Sequence, residues 1–297
     1  MYSGIHIIGA ACGHGGRDRR AAAGPETLKN AGLVARLEKH GIRANWPEII
    51  ESRPQQTGIS GLDIVSELNR RLAGQISTLV SEQSRFAVLG GDHACAIGTW
   101  SGVYRALGDA RRFGLIWVDA HMDSHTPATT PSGALHGMPL ACLLGYGADE
   151  LTSLAAPGPA LLPQHVCLIG VRSYEQEEAD LLAELGVHVC FMDDVNRLGM
   201  DAVMQQALRI ARTDTAGFGI SIDLDAIDPA DAPAVASKVP GGLSASDLMA
   251  ALKSAGDAPG LIGMEIAEFN PFLDVHDQTL RLIPGLLAAA MSGVDKA

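Results

Sequence analysis

Leu115-Ile116-Trp117-Val118 runs without a break into Asp119-Ala120-His121-Met122-Asp123. The four leading residues are apolar at every position, so neither face of that segment suits water. A strand buried on both faces belongs to a parallel sheet with helices packed against each side. Phe86-Ala87-Val88-Leu89 repeats the pattern and enters Gly90-Gly91-Asp92-His93. Outward from these two runs, short Ile- and Val-rich segments predict strands over 5–9, 43–50, 85–90, 113–119, 165–171, 187–192, 217–223 and 260–267. Amphipathic stretches predict helices over 26–40, 60–83, 95–107, 175–185, 198–212, 245–255 and 277–292, with Ser60 and Ser244 as caps. The alternation predicts an α/β fold, a three-layer α/β/α architecture with a mostly parallel central sheet of about eight strands.

With 297 residues, 47% hydrophobic and 19% charged, the chain can bury a large core, which excludes disorder as its main state. One domain over 1–297 is expected, because α/β folds often run to roughly 200–300 residues as a unit. The Pro/Ala/Gly stretch 155–163 reads as a surface loop. A net charge of −12, with no basic cluster beyond Arg17, Arg19 and Arg20, argues against nucleic acid as a partner. No apolar run approaches the roughly 18–20 residues that span a bilayer, and Met1-Tyr2-Ser3-Gly4 enters Ile5-His6-Ile7-Ile8 without a basic leader. A cytoplasmic chain with no membrane partner is the expectation. Cys12, Cys95, Cys142, Cys167 and Cys190 are widely spaced with no C-x-x-C, which predicts reduced core thiols, neither a disulfide framework nor a thiolate zinc site.

In an open parallel sheet the ligand crevice lies beyond the carboxyl ends of the strands. Those ends are acidic and histidine-bearing here: Gly90-Gly91-Asp92-His93, Asp119-Ala120-His121-Met122-Asp123, Asp223-Leu224-Asp225-Ala226-Ile227-Asp228-Pro229 and Glu268. In extended backbone, alternate side chains share a face, which would point Asp119, His121 and Asp123 one way and Asp223 with Asp225. Four carboxylates gathered at one mouth repel one another unless cations neutralise them. Carboxylates and imidazoles without thiolates favour a hard or borderline divalent ion, Mn²⁺ before Zn²⁺, with Mg²⁺ disfavoured by the imidazoles. A pair of such ions can lower the pKa of a shared water toward neutrality and present it to an electrophilic carbon.

These motifs, with Ser221-Ile222 ahead of Asp223, the turn Pro240-Gly241-Gly242, the early Gly24-Pro25-x-x-Leu28-x-x-Ala31-Gly32-Leu33 and the late Glu268-Phe269-Asn270-Pro271, resemble the ureohydrolases: arginases, agmatinases and guanidino-acid hydrolases. The resemblance covers nearly the whole chain and implies two Mn²⁺ per chain. One ion would be held by His93, Asp119, Asp123 and Asp223, the other by His121, Asp119, Asp223 and Asp225, with Asp119 and Asp223 bridging. Asp92 and Asp228 would support the ligands or form turns, and Gly90 and Gly91 would be tight-turn glycines. A homo-oligomer, trimer or hexamer, is implied as well.

The segment Thr126-Pro127-Ala128-Thr129-Thr130-Pro131-Ser132-Gly133-Ala134-Leu135-His136-Gly137 is similar to the arginase branch. The resemblance assigns Thr130 and Ser132 to the amino-acid carboxylate and His136 to proton relay. Three positions depart from it: His125 and Ala134 stand where arginases carry Asn, and Glu175 stands where they carry an Asp for the α-amino group. Glu268 would pair with the guanidinium and Asp123 would carry a proton to the leaving amine. The expected function is therefore manganese-dependent hydrolysis of a small guanidino substrate, L-arginine giving L-ornithine and urea. The alternatives are another guanidino compound, such as 4-guanidinobutyrate or agmatine, or a catalytically silent metal-binding homologue.

Overall fold

Each apolar run becomes a strand. The computed structural model describes residues 4–52, 60–109, 112–156 and 158–293, and its strands are β1 (Ile5–Ala11), β2 (Ala44–Glu51), β3 (Phe86–Gly90), β4 (Gly114–Val118), β5 (Val166–Val171), β6 (His188–Phe191), β7 (Phe218–Asp223) and β8 (Leu261–Ala267). They form one sheet in the order β2-β1-β3-β8-β7-β4-β5-β6, and every neighbouring pair is parallel. β3, β4, β5 and β7 are buried at every residue, as strands covered on both faces must be.

Alternation along β4 divides the core into two layers. Ile116 and Val118 join the cluster that also takes in helices Met200–Arg212, Ala245–Asp257 and Gln278–Met291. Leu115 and Trp117 point the other way, into the cluster with helices Gly61–Ser81 and Ala96–Leu107. Ser60 caps the first of these by accepting from Asp63 N at 3.2 Å. Ser244 caps Ala245–Asp257 by accepting from Asp247 N at 3.4 Å. Such a cap contributes about 1 kcal/mol.

One predicted helix is broken, and short helices went unpredicted. The stretch 26–40 divides into Gly24–Asn30 and Leu33–Lys39, because Gly32 adopts φ 72°. The helix expected over 198–212 forms as Met200–Arg212, and a further, unpredicted helix, Met192–Leu198, precedes it across Gly199 at φ 85°. Left-handed glycines end helices at little cost. Pro139–Leu143 and Asp149–Thr152 are short helices in a region to which the sequence assigned no element. Among the described residues of the stretch 155–163, Ala155, Ala160 and Leu161 are buried, so it is not wholly a surface loop. Among the described residues no helix is long and apolar enough to cross a membrane.

The strand order has one consequence for chemistry. The four central strands, β3, β8, β7 and β4, are consecutive neighbours, and they are the strands followed by Asp92-His93, Glu268, Asp223-Leu224-Asp225 and Asp119-Ala120-His121-Met122-Asp123. All four motifs therefore emerge side by side at one sheet edge.

Candidate metal centre and active site

His93 opens a 3-10 turn after β3, with Asp92 as its cap. The Asp92 carboxylate accepts from Ala94 N at 3.2 Å, Gly15 N at 2.7 Å and Gly16 N at 3.2 Å. It thus ties the β1 loop to the β3 turn. Asp228 likewise accepts from the amides of Ala230, Gly241 and Gly242. Gly91 is required for space rather than for a turn conformation: a Cβ there would lie 1.8 Å from the Cys12 carbonyl oxygen, and its φ is not left-handed.

His93 Nδ1 faces Asp119 Oδ2 at 3.3 Å, Asp123 Oδ2 at 3.1 Å and Asp223 Oδ2 at 3.1 Å. His121 Nδ1 lies 3.1 Å from Asp225 Oδ2 and 3.6 Å from Asp119 Oδ1. Donor atoms of His93, Asp119, Asp123 and Asp223 fall within 4.8 Å of one another, and those of Asp119, His121 and Asp225 do the same. Asp119 belongs to both groups, with one oxygen toward each imidazole. Asp223 joins the first group only; its Oδ1 accepts from Asp225 N at 2.8 Å.

The backbone reaches this arrangement differently from the extended geometry expected of D-x-H-x-D. β4 ends at Val118, and Asp123 takes a left-handed φ of 48°. Asp225 sits in the 3-10 turn Leu224–Ala226. Glu268 is also left-handed, at φ 68°. Such a conformation costs a non-glycine residue about 1–3 kcal/mol and persists where the surroundings demand it. Here it turns two carboxylates into the crevice.

The polar surroundings of His93 test whether cations belong here. Its ring stacks on Trp117, centroids 4.4 Å apart, and its Nε2 is 2.9 Å from Ser221 Oγ. Ser221 Oγ donates to Glu265 Oε1 at 2.9 Å, so its oxygen is free to accept from His93 Nε2–H. Nδ1 then carries a lone pair aimed at three carboxylate oxygens, and both Nδ1 and Asp123 Oδ2 are buried without a hydrogen-bond partner. A lone pair among anions is stable only around a cation. Four carboxylates also balance the charge of two divalent ions, so the residues fit a binuclear centre.

Without such ions, protons substitute for them. Burial opposes charge on both imidazoles, but the facing carboxylates outweigh it, raising His93 well above its ordinary value and pushing His121 up to about 12. Burial and the Asp119 charge push Asp123 up to about 7. Burial, with Asp225 and Asp119, raises Asp223 in the same direction. Metal uptake must displace these protons.

Beside the centre, Glu268 Oε1 lies 3.0 Å from His136 Nδ1 and accepts from His93 N at 2.8 Å. Burial disfavours the imidazolium, but Glu268 pushes His136 up to about 10, while His136 in turn holds Glu268 below its ordinary value against the pull of burial. A cleft of about 710 Å³ opens over the metal groups, lined by His121, Asp123, Asp223, Asp225, Glu268 and His136 at its floor. Its wall carries His125, Ser132, Ala134, Glu175 and Glu178, with Arg17 also lining it. Thr130 is not among the lining residues; its Oγ1 accepts from Gly133 N at 3.1 Å. Ser132 Oγ accepts from Ala134 N at 3.1 Å, which leaves its proton to donate.

Two residues of this site went unread in the sequence. Glu178 is buried, and its carboxylate lies 3.5 Å from His125 Nε2 while Glu175 lies 3.1 Å from the same atom. The signal was its spacing: Glu175 and Glu178 form a capping box at the start of Gln176–Leu185. Glu265 is fully buried mid-strand in β8, bonded to Ser221 and Thr99. A single acid inside an otherwise apolar strand was the available clue. With Ser221 it steers the His93 tautomer, so Ser221→Ala should weaken metal binding about 10–100-fold, read by chelator competition, while the fold measured by circular dichroism stays intact. Unchanged affinity would show that Ser221 does not orient the ligand.

Two metal groups sharing one carboxylate, under a cleft with a glutamate–histidine pair, define a metal-dependent hydrolase. The profile described as Arginase family matches residues 3–293. Arginase from Brevibacillus brevis is 36% identical over 97% of this chain and 98% of its own. Arginase from Bacillus caldovelox is 37% identical over 96% of this chain and 97% of its own. The crystal structure of arginase from Bacillus subtilis superposes with a TM-score of 0.89 at 34% identity, covering 97% of this chain and 98% of that one. The chain belongs to the arginase family and is a metal-dependent hydrolase.

Proposed function

We propose that this protein is a manganese-dependent arginase, converting L-arginine and water to L-ornithine and urea. The observation that carries the reading is Asp119, one oxygen toward His93 and the other toward His121, beneath a cleft that joins Glu268 to the polar wall of His125, Ser132, Glu175 and Glu178. One Mn²⁺ would be held by His93, Asp119, Asp123 and Asp223, the other by His121, Asp119, Asp225 and Asp223. Manganese suits a site of four carboxylates and two imidazoles without sulfur, and when bound it supplies a water acidic enough to act as nucleophile near neutral pH. The chain works as one catalytic unit over 1–297, and as a homo-oligomer.

The residues around the metal groups handle orientation and protons. Glu268 receives the guanidinium through charge-assisted hydrogen bonds that fix the electrophilic carbon. In the free protein His136 occupies that role as the cation beside Glu268. An arriving guanidinium takes over the Glu268 charge and repels the imidazolium, which lowers the His136 pKa toward the working range of an acid–base group. His136 then exchanges protons between the leaving amine and solvent, and Asp123 carries the proton within the site. His136→Ala should lower kcat on the order of 10²-fold with metal content unchanged by elemental analysis. Loss of metal in that variant would instead place His136 among the ligands.

At the far wall Ser132 offers a donor to the α-carboxylate, and Glu175 with Glu178 offers charge to the α-ammonium. His125, bridged between those two glutamates, rigidifies that end of the cleft. The second reading, a different guanidino substrate, draws on this same wall, because His125, Ala134 and Glu175 all depart from the arginase pattern and Thr130 is turned into its own loop. Chelator-treated protein reconstituted with Mn²⁺ tests the proposal: ornithine and urea should appear in equal amounts from L-arginine. Restoration by Zn²⁺ but not by Mn²⁺ would overturn the metal assignment, and no urea from arginine would overturn the substrate.

A further inference from the structure

A second cluster of metal-binding side chains lies at the opposite end of the sheet. Cys167 is the second residue of β5, and His188 and Cys190 are the first and third of β6. The register pairs Cys167 with His188 and Ile169 with Cys190, and residues two apart on a strand share a face. The three side chains therefore converge, and their donor atoms lie within 4.8 Å of one another. β6 is the edge strand, and Cys167 and His188 sit toward the amino ends of their strands, away from the catalytic mouth.

From this geometry we propose that Cys167, His188 and Cys190 form a soft-metal site that takes one Zn²⁺ per chain, separate from the binuclear centre. Zinc accepts thiolate and imidazole ligands with bonds of about 2.0–2.3 Å, which sets donor separations of about 3.5–3.8 Å for a tetrahedron, so the cluster has only a short distance to close. Two thiolates and a neutral imidazole cancel the charge of Zn²⁺, and a neutral complex can lie in the core where a naked ion cannot. The two thiols release their protons to solvent on binding.

The surroundings suit a bound cation. His188 Nε2 lies 2.8 Å from Gln206 Nε2 on helix Met200–Arg212, a contact in which the amide donates. Ligation through Nδ1 requires that amide to turn over so that its oxygen accepts from Nε2–H, which then fixes the ring orientation. The Asp194 carboxylate lies close enough to act electrostatically on Cys190 and to be acted on by His188. Cys167 and Cys190 are buried, whereas His188 is half-buried, so the histidine side gives an ion its way in. Three protein ligands leave a fourth position for water. The absence of C-x-x-C made this arrangement illegible in the sequence, because the two sulfurs come from neighbouring strands.

Cobalt is the probe that separates the two centres, since only this cluster contains sulfur. Full-length protein stripped with chelator and titrated with Co²⁺ should develop a thiolate-to-metal charge-transfer band that saturates at one ion per chain and disappears on adding Zn²⁺. The band should survive in Asp119→Ala, vanish in Cys190→Ser, and require about tenfold or more Co²⁺ in His188→Gln, whose half-buried position protects the fold. Hydrolysis of arginine by manganese-loaded Cys190→Ser should match the parent protein. Absence of the charge-transfer band in the parent protein, an undiminished band in Cys190→Ser, or an unchanged Co²⁺ requirement in His188→Gln would overturn the proposal.

Discussion

Asp119→Ala should purify with neither metal position filled, and its urea release should fall by on the order of 10³-fold or more. The expectation follows from where the two oxygens point. Oδ2 lies 3.3 Å from His93 Nδ1 and Oδ1 lies 3.6 Å from His121 Nδ1, so removing one carboxylate strips a ligand from both groups. Asp225 touches only the second group, and Asp225→Ala should retain about one ion per chain. Elemental analysis of both variants, with circular dichroism to confirm folding, separates shared from single ligands. Two ions retained by Asp119→Ala would show that this carboxylate does not link the groups.

Glu268→Gln should retain both metals yet lose about 10²- to 10⁴-fold in kcat/KM for every guanidinium substrate. Glutamine preserves the shape and still accepts from His93 N, the contact that holds the side chain in place. What disappears is the charge. Breaking a buried ion pair by neutralising one partner costs about 3–5 kcal/mol, and each 1.4 kcal/mol is roughly a factor of ten. The same substitution removes the group that pushes His136 up to about 10, so the imidazole should titrate at lower pH, visible by NMR of the metal-free protein. Near-normal kcat/KM would mean that the guanidinium binds elsewhere in the cleft.

How much was legible beforehand depended on which physical term decides each element. The strands buried throughout, β3, β4, β5 and β7, and with them the parallel sheet, followed from uniform burial, because runs such as Leu115–Val118 have no polar face to offer water. The edge strands β2 and β6 are only partly buried and followed from their apolar runs and the regular alternation with helices. The metal groups followed from charge, since four acids and two imidazoles at adjacent strand ends have few other stable arrangements. The helix break at Gly32 was less visible, because hydrophobic periodicity carries across a glycine that turns left-handed, and the short helix Met192–Leu198 went unread because it follows directly on β6. Asp123 and Glu268 have left-handed backbones; aspartate tolerates that region, but nothing local predicts it for Glu268, whose N–H bonds across to Gly91 O at 2.7 Å. Glu265 and Glu178 escaped for a similar reason, as each is explained only by distant partners, Ser221 and Thr99 for one and Ser124 and His125 for the other.

The substrate's tail rests on the wall built from Ser132, Ala134, His125, Glu175 and Glu178. Ala134 removes one polar contact relative to the arginase pattern, a loss of about 0.5–1.5 kcal/mol that raises KM by roughly tenfold at most. Agmatine lacks the carboxylate that Ser132 would bind, and 4-guanidinobutyrate would bring its own carboxylate toward Glu175. The most direct measurement is kcat/KM for urea release from L-arginine, agmatine and 4-guanidinobutyrate by the same manganese-saturated protein. Arginine is expected to give the highest value; a higher value for either of the other two would contradict the arginase assignment.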